Sequence, residues 1–355
     1  MDRLQEVEHK HNQLRALMEQ HKADAIWLRR ARNVAWFTAG ADPVIAADGE
    51  NGAYSVLVTP DARSIITDPI EAPRIQAEDR IEDLGFTLKI SPWYQPDPPQ
   101  TPHLAADDGA VGDAIANLRR TLTPTEQQRA RIIGRETGEA VEEAARAVRP
   151  GDTEFQIAAR ISAACRARGG LAIVTLVAAD VRTVHYRHAY ATSHVFEKYA
   201  MLVVCNRRCG LVISATRFVH VGEIPSGITE KLHKVAAIDA AAMVGTRPGR
   251  TQGDVFADIQ AAYAAQGEAD QWQYHHQGGL AGYAAREVVA TPGDPTMIGG
   301  GQLFAWNPSI PGCKSEDTIL TSEGGFEIVS QTDSYPSIEV TAAGQTVKRP
   351  AILEL

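Results

Sequence analysis

The chain has 355 residues, 44% of them hydrophobic and 22% charged, with 44 acidic against 35 basic side chains and a formal net charge of −9. That is the balance of a globular protein long enough for two domains, and it leaves no basic face for a phosphate backbone, so nucleic acid is not an expected partner. Four cysteines are too few for a disulfide framework, no run approaches the roughly 18 apolar residues of a membrane span, and the charged start MDRLQEVEHKHNQL is not a signal peptide; a cytoplasmic location is expected.

The first stretch alternates helix and strand. A helix is predicted to about Gln20, then short apolar strands in ADAIWL and NVAWFTAG, two more in YSVLVTP and RSIITD, and a second helical pattern from about Glu71. SPWYQPDPPQTPH follows, with five prolines between Pro92 and Pro102 that bar regular structure and make a stiff linker. The sequence therefore divides into a small α/β domain, residues 1–104 with the proline-rich linker at 91–104, and a second domain at residues 105–355.

Thr123-Pro-Thr-Glu126 is a capping box with proline at the first helical position, opening a long helix to about Val148. Beyond it, VRPGDTEFQIAARISAACRARGG and TRPGRTQGDVFADIQAAYAAQGE match at one constant offset. Arg149 pairs with Arg247, Gly151 with Gly249, Thr153 with Thr251, Ile161 with Ile259 and Gly169 with Gly267. Each copy is a turn, a threonine cap, an apolar-striped helix and a closing glycine, the signature of an internal duplication. Two similar α-β halves are expected, with a crevice between their sheets. Cys205 and Cys209, in CNRRCGLVISATRF, have the spacing of one strand face and no His/Cys pair at zinc-finger distance, so both are read as half-buried structural residues.

A duplicated α/β domain behind a small α/β domain resembles the creatinase/prolidase/methionine aminopeptidase family, the pita-bread fold, over nearly the whole chain. The expected class is α/β (α+β): a small N-terminal α/β domain, then a pita-bread domain of two pseudo-symmetric α-β halves. In the metal-dependent members, two hairpin aspartates, a histidine in H-x-x-G, a glutamate in Glu-Pro-Gly and a glutamate ahead of Asp-Thr form the site. By that resemblance SATR puts one aspartate on Ser214 and the other, eleven residues earlier, on Val203. WNPSIPG puts a glutamate on Asn307, KSEDTIL keeps Glu316, and HHQGGLAGY supplies His276 in preference to His275. Valine, serine and asparagine cannot supply the anionic oxygens two divalent ions need, so no metal and no cofactor are expected.

The creatinase branch, which the chain resembles in this loss, hydrolyses a C–N bond of a small guanidino acid with a histidine just before the first hairpin strand. In HYRHAYATSHVFEKYAMLVV the matching residue is His188, with His185 and His194 as alternatives. AGYAAREVV offers Arg286 to clamp a carboxylate, Glu287 to orient a histidine or hold a cation, and Tyr283 to donate to an oxyanion. Glu316 without a metal is expected to be a lone cleft carboxylate with a raised pKa, or the partner of a cationic substrate. The resemblance thus implies His188, His276, Glu287 and Glu316 as catalytic residues. Arg286, Tyr283, Asn307, His275, Ser214 and Arg217 would bind substrate, and in a homodimer Arg32, Asn33 and Arg74 would reach the partner's site.

The expected function is metal-independent hydrolysis of a C–N bond in a small polar nitrogen compound (guanidino, amidino or cyclic amide), with His188 as general base. The alternatives are a lyase or isomerase using the same proton-transfer groups, a non-catalytic small-molecule-binding protein, and a metal-dependent Xaa-Pro aminopeptidase built on His276 and Glu316. General proteolysis is not expected, because no serine or cysteine lies in a nucleophile-elbow or papain-like stretch.

Overall fold

The computed structural model describes residues 1–47 and 49–355. They fall into two compact units, residues 1–127 with 208–211, and residues 128–207 with 212–355.

In the first unit Asp2 caps α1 (Arg3–His21) through a capping box with Gln5, and the helix ends on Lys22 in the left-handed conformation. There follow β1 (Ala25–Arg30), α2 (Ala31–Phe37), β2 (Asn51–Val58), β3 (Arg63–Thr67), α3 (Ala72–Arg74), β4 (Thr87–Ile90), β5 (Leu104–Ala106) and α4 (Gly109–Arg119). The strands form one sheet in the order β4-β3-β2-β1-β5, antiparallel in the middle and parallel at both edges. NVAWFTAG is mostly helix α2 rather than a strand. Six of that helix's seven residues are buried, and a short run that is apolar on every side carries no period to tell the two apart. The division expected at residue 104 moves to 127, because β5 pairs in parallel with β1 and makes the proline-rich segment a crossover within the first sheet.

Thr123 and Glu126 make the expected capping box at the start of α5 (Pro124–Arg146), with the Thr123 N–H donating to the Glu126 carboxylate at 2.7 Å. The second unit continues with α6 (Glu154–Ala167), β6 (Leu171–Ala179), α7 (Val181–His185), β7 (Tyr199–Arg208), β8 (Leu211–His220), α8 (Ser226–Gly245), α9 (Gln252–Ala265), β9 (Gly278–Ala281), β10 (Val288–Val289) and β11 (Leu303–Trp306). It ends with β12 (Ser309–Ile310), β13 (Cys313–Lys314), β14 (Asp317–Ser322), β15 (Gly325–Ile328), β16 (Ser337–Ala342), β17 (Gln345–Pro350) and β18 (Ile352–Glu354).

The duplication is visible as matched structure. α6 and α9 each run 14 residues behind a threonine capping box, Thr153 and Thr251, and each cap bridges to a later residue, Val195 and Met297. Each helix packs on its own sheet, one ordered β18-β8-β7-β6 and the other β10-β9-β11-β14-β15. Ile157 and Ile161 of α6 share a core with Val177, Leu202 and Val204; Val255, Ile259 and Tyr263 of α9 share one with Leu280, Phe304 and Trp306. β7 and β8 are buried along nearly their whole length, as strands covered on both faces are. Among the described residues no helix is long and apolar enough to cross a membrane.

Candidate active site

A cavity of about 580 Å³ opens in the second unit. One wall is β6, the outermost strand of its sheet, which lines it with every residue from Ala172 to Leu176. Besides Thr175 of that strand, the polar lining is His188, Tyr190, His276, Arg286, Asn307, Lys314 and Glu316, with Val203 and Cys205 of β7 beneath.

The histidines come from two segments. His188 follows α7 on a loop that Arg187 anchors, donating to the Ser309 hydroxyl at 3.1 Å and to the Gln271 amide oxygen. Gln271 lies just ahead of His275, so one guanidinium ties the two histidine segments together. Gln277 fixes the other segment: its amide donates to the His275 carbonyl at 2.5 Å, and its oxygen accepts the Tyr263 hydroxyl at 3.0 Å. β9 then leaves at once on Gly278 and Gly279, at φ 99° and 142°, where a Cβ would stand 2.1 Å from the Ala305 carbonyl and 2.4 Å from that of Val288. That close backbone approach is why glycine must follow the histidine pair. His275 is buried, and its Nε2 lies 2.8 Å from Nε2 of His188. Burial lowers all three imidazoles, with Lys314 or Arg286 adding to the effect, and takes His275 to about 2 and His276 to about 4. The cluster is neutral at pH 7.

Glu316 overturns its expectation of a lone carboxylate. Burial alone pushes its carboxyl up, but Lys314 and Arg286 outweigh burial and bring it down to about 2. The Lys314 ammonium sits 2.8 Å from one oxygen and the Arg286 guanidinium 3.0 Å from the other, while the Thr216 hydroxyl donates at 2.8 Å. Lys314, Arg187 and Thr216 were not singled out in the sequence. The signal for Lys314 was there: two residues before Glu316 on extended backbone, it shares that residue's face.

Arg286 and Asn307 line the cavity as expected, and Oδ1 of Asn307 and Nε of Arg286 are buried without a partner. Other residues sit elsewhere. The Glu287 carboxylate accepts the Tyr283 N–H at 3.1 Å, and neither residue lines the cavity. Ser214 is buried beneath it, donating to Cys205 Sγ at 3.2 Å and accepting from Arg286 at 3.4 Å. Arg217 is fully buried against Asp317 at 3.0 Å, within a network in which Arg349 bonds Asp239 at 2.7 Å and Asp317 at 2.9 Å. His185 is exposed on α7, and His194 lies 3.8 Å from Asp180. In the first unit Asn33 is buried, donating to Asp107 at 2.8 Å and accepting from Arg119, and Arg74 pairs with Glu71 at 2.9 Å and Asp79 at 3.4 Å. Both side chains are thus engaged within their own unit. Cys209 is not on a strand face but in the turn after β7, at φ 50°.

The positions that match the family's metal ligands do not fit a pair of divalent ions. Val203 has no donor, the Ser214 hydroxyl is directed to sulfur, Asn307 is neutral, and both oxygens of Glu316 face fixed cations. An ion there would meet two positive charges and one carboxylate.

Residues 128–323 match the model of metallopeptidase family M24. No curated protein matches the sequence. Among solved structures, the fold is similar to the prolidase from Pyrococcus horikoshii OT3, with a TM-score of 0.74 and 17% identity over 92% of this chain and 99% of that one. The Xaa-Pro dipeptidase from Bacillus anthracis gives 0.73 and 17% over 98% and 100%. The N-terminal domain of FACT complex subunit SPT16 from Cicer arietinum (chickpea) gives 0.64 and 10% over 93% and 96%. At these identities the likeness is one of fold.

Proposed function

The chain belongs to metallopeptidase family M24, and from that premise we propose that it hydrolyses a carbon–nitrogen bond without metal, in a small nitrogen compound that carries a carboxylate. The observation behind this reading is the buried Glu316 carboxylate held between Lys314 and Arg286. Where family members place metal charge, this chain supplies charge from its own side chains. Two cations against one carboxylate, beside neutral imidazoles, leave an excess of positive charge that favours an anionic group on the substrate. A guanidinium or amidinium would find the Glu316 oxygens already engaged, so a cyclic amide or N-acyl amino acid fits better. Its N–H has an acceptor in Asn307 Oδ1 and its carboxylate a donor in Arg286 Nε, both buried groups without partners.

In this reading His188 takes a proton from water as the water oxygen adds to the amide carbon. The cations of Lys314 and Arg286 stabilise the oxyanion that forms. The C–N bond then breaks, and the proton passes from His188 to the leaving nitrogen. The test is a panel of cyclic amides and N-acyl amino acids followed by proton NMR, with and without chelator. Turnover that survives chelator and is lost in a folded His188→Asn variant is the expected result; turnover that requires added metal would overturn the reading.

Metal-dependent cleavage of Xaa-Pro dipeptides is the second reading. It is favoured by the likeness to a prolidase and an Xaa-Pro dipeptidase and by the retention of His276 and Glu316. Proline release that appears only with manganese or cobalt would support it.

A further inference from the structure

We propose that His188, His275 and His276 together bind one transition-metal ion of the zinc class through three imidazoles, a ligand chemistry different from the carboxylate-rich set, with which it shares only His276, that Val203, Ser214 and Asn307 have closed. The ligand nitrogens of the three rings all lie within 4.8 Å of one another. His188 and His275 already approach at 2.8 Å through their Nε2 atoms, and the His275 and His276 rings stack with centroids 4.7 Å apart. A tetrahedral ion with metal–nitrogen bonds of about 2.0–2.1 Å spaces its ligands by about 3.3 Å. One pair is therefore near that spacing. The remaining adjustment falls to His188 and His276, both exposed, while buried His275 is held by the Gln277 amide on its carbonyl.

The nitrogens that approach each other are the two Nε2 atoms; Nδ1 of His275, which is nine-tenths buried, has no hydrogen-bond partner, so nothing ties that ring to the tautomer that would withhold a lone pair at Nε2. The ligand set also selects the ion: three neutral nitrogens with no carboxylate suit zinc, cobalt, nickel or copper and offer little to magnesium or manganese. Lys314 and Arg286 oppose a dication, but they face the cavity through which the fourth ligand must enter and favour an anion there. The ion is thus expected together with hydroxide, chloride or a substrate carboxylate.

If the hydrolase reading above holds, on which this part of the inference rests, the ion coordinates the ring that serves as general base, so occupancy and turnover exclude each other. Zinc would then be an inhibitor, not a cofactor.

The experiment is a titration of the chelator-stripped, dialysed full-length chain with cobalt(II). Expected is one ion per chain and the intense visible absorption of four-coordinate cobalt, with the band lost in His188→Gln and in His276→Gln, and no uptake of manganese. His188 and His276 are both exposed, so both variants are expected to fold, as circular dichroism would establish. No band at excess cobalt, or a band of equal strength in the folded His188→Gln variant, would overturn the site. The readout needs no substrate. A band without turnover of any compound keeps the site and removes the hydrolase reading, and turnover without a band does the reverse.

Discussion

Replacing Lys314 by methionine tests whether this residue is the counter-charge of Glu316. The substitution keeps the length of the side chain and removes the ammonium 2.8 Å from a carboxylate that is 2% exposed. Breaking a buried pair from one side costs about 3–5 kcal/mol. Arg286 at 3.0 Å and the Thr216 hydroxyl at 2.8 Å remain, which places the expected loss near the low end, about 3 kcal/mol. For a domain of roughly 200 residues that is about 6–12 °C in Tm. Urea and thermal unfolding followed by circular dichroism measure it. The sharper readout is the sign in a second background. With Glu316→Gln already made, Lys314 is a buried cation beside another cation, so removing it should be neutral or stabilising. A loss below 1 kcal/mol in the wild type, or the same loss in both backgrounds, would refute the argument.

Arg349→Met should destabilise by about 3–5 kcal/mol in urea unfolding, because it leaves Asp239 and Asp317 buried without their shared guanidinium. Gly279→Ala forces a Cβ to 2.4 Å from the Val288 carbonyl at φ 142°; a loss of about 2–3 kcal/mol is expected, with a displaced His276 reported by its imidazole NMR signals. The two hydrogen bonds from Arg160 hold the Asp152 carboxyl below its usual range, so its stabilisation is present above the unfolded-state value and fades as pH falls through the folded one. The stability gap between wild type and Asp152→Asn, followed by urea unfolding across pH, should therefore be full at neutral pH and close in acid. Under the hydrolase reading, prolonged dialysis against chelator should not lower turnover.

Much of the scaffold was legible because it is written twice. The RPG turn, the threonine cap and the helix stripe recur at one spacing, and α6 and α9 keep equal lengths and equal caps. The capping box at Thr123 was readable for the same local reason. Pairing between distant segments was not: nothing local in LAA announces that Leu104–Ala106 returns to β1, or that β18 joins β8 in parallel. In the site, His188, His276, Arg286, Asn307 and Glu316 follow from the resemblance of their motifs to the family's, and the structure brings all five to one cavity. Glu287 and Tyr283 do not line the cavity: they lie in the irregular segment between β9 and β10, where the Glu287 carboxylate accepts the Tyr283 N–H, and no period in the sequence announces which of its side chains turns inward. The ionic state of Glu316 was misjudged because Lys314, two residues away, was left out and Arg286, 30 positions before it, was assigned to a substrate carboxylate instead.

The Lys314–Glu316 pair also bears on how the site responds to its surroundings. A position neutralised by a bound ion is complete only to the degree that ion is available, and its share of the folding free energy follows the ion's concentration through mass action. A lysine two residues along the same chain is present at fixed stoichiometry and cannot dissociate, so the charge balance of this position is a unimolecular property of the fold. It is the same in a metal-starved and a metal-rich medium, and it is established in the same step that buries the strands around it.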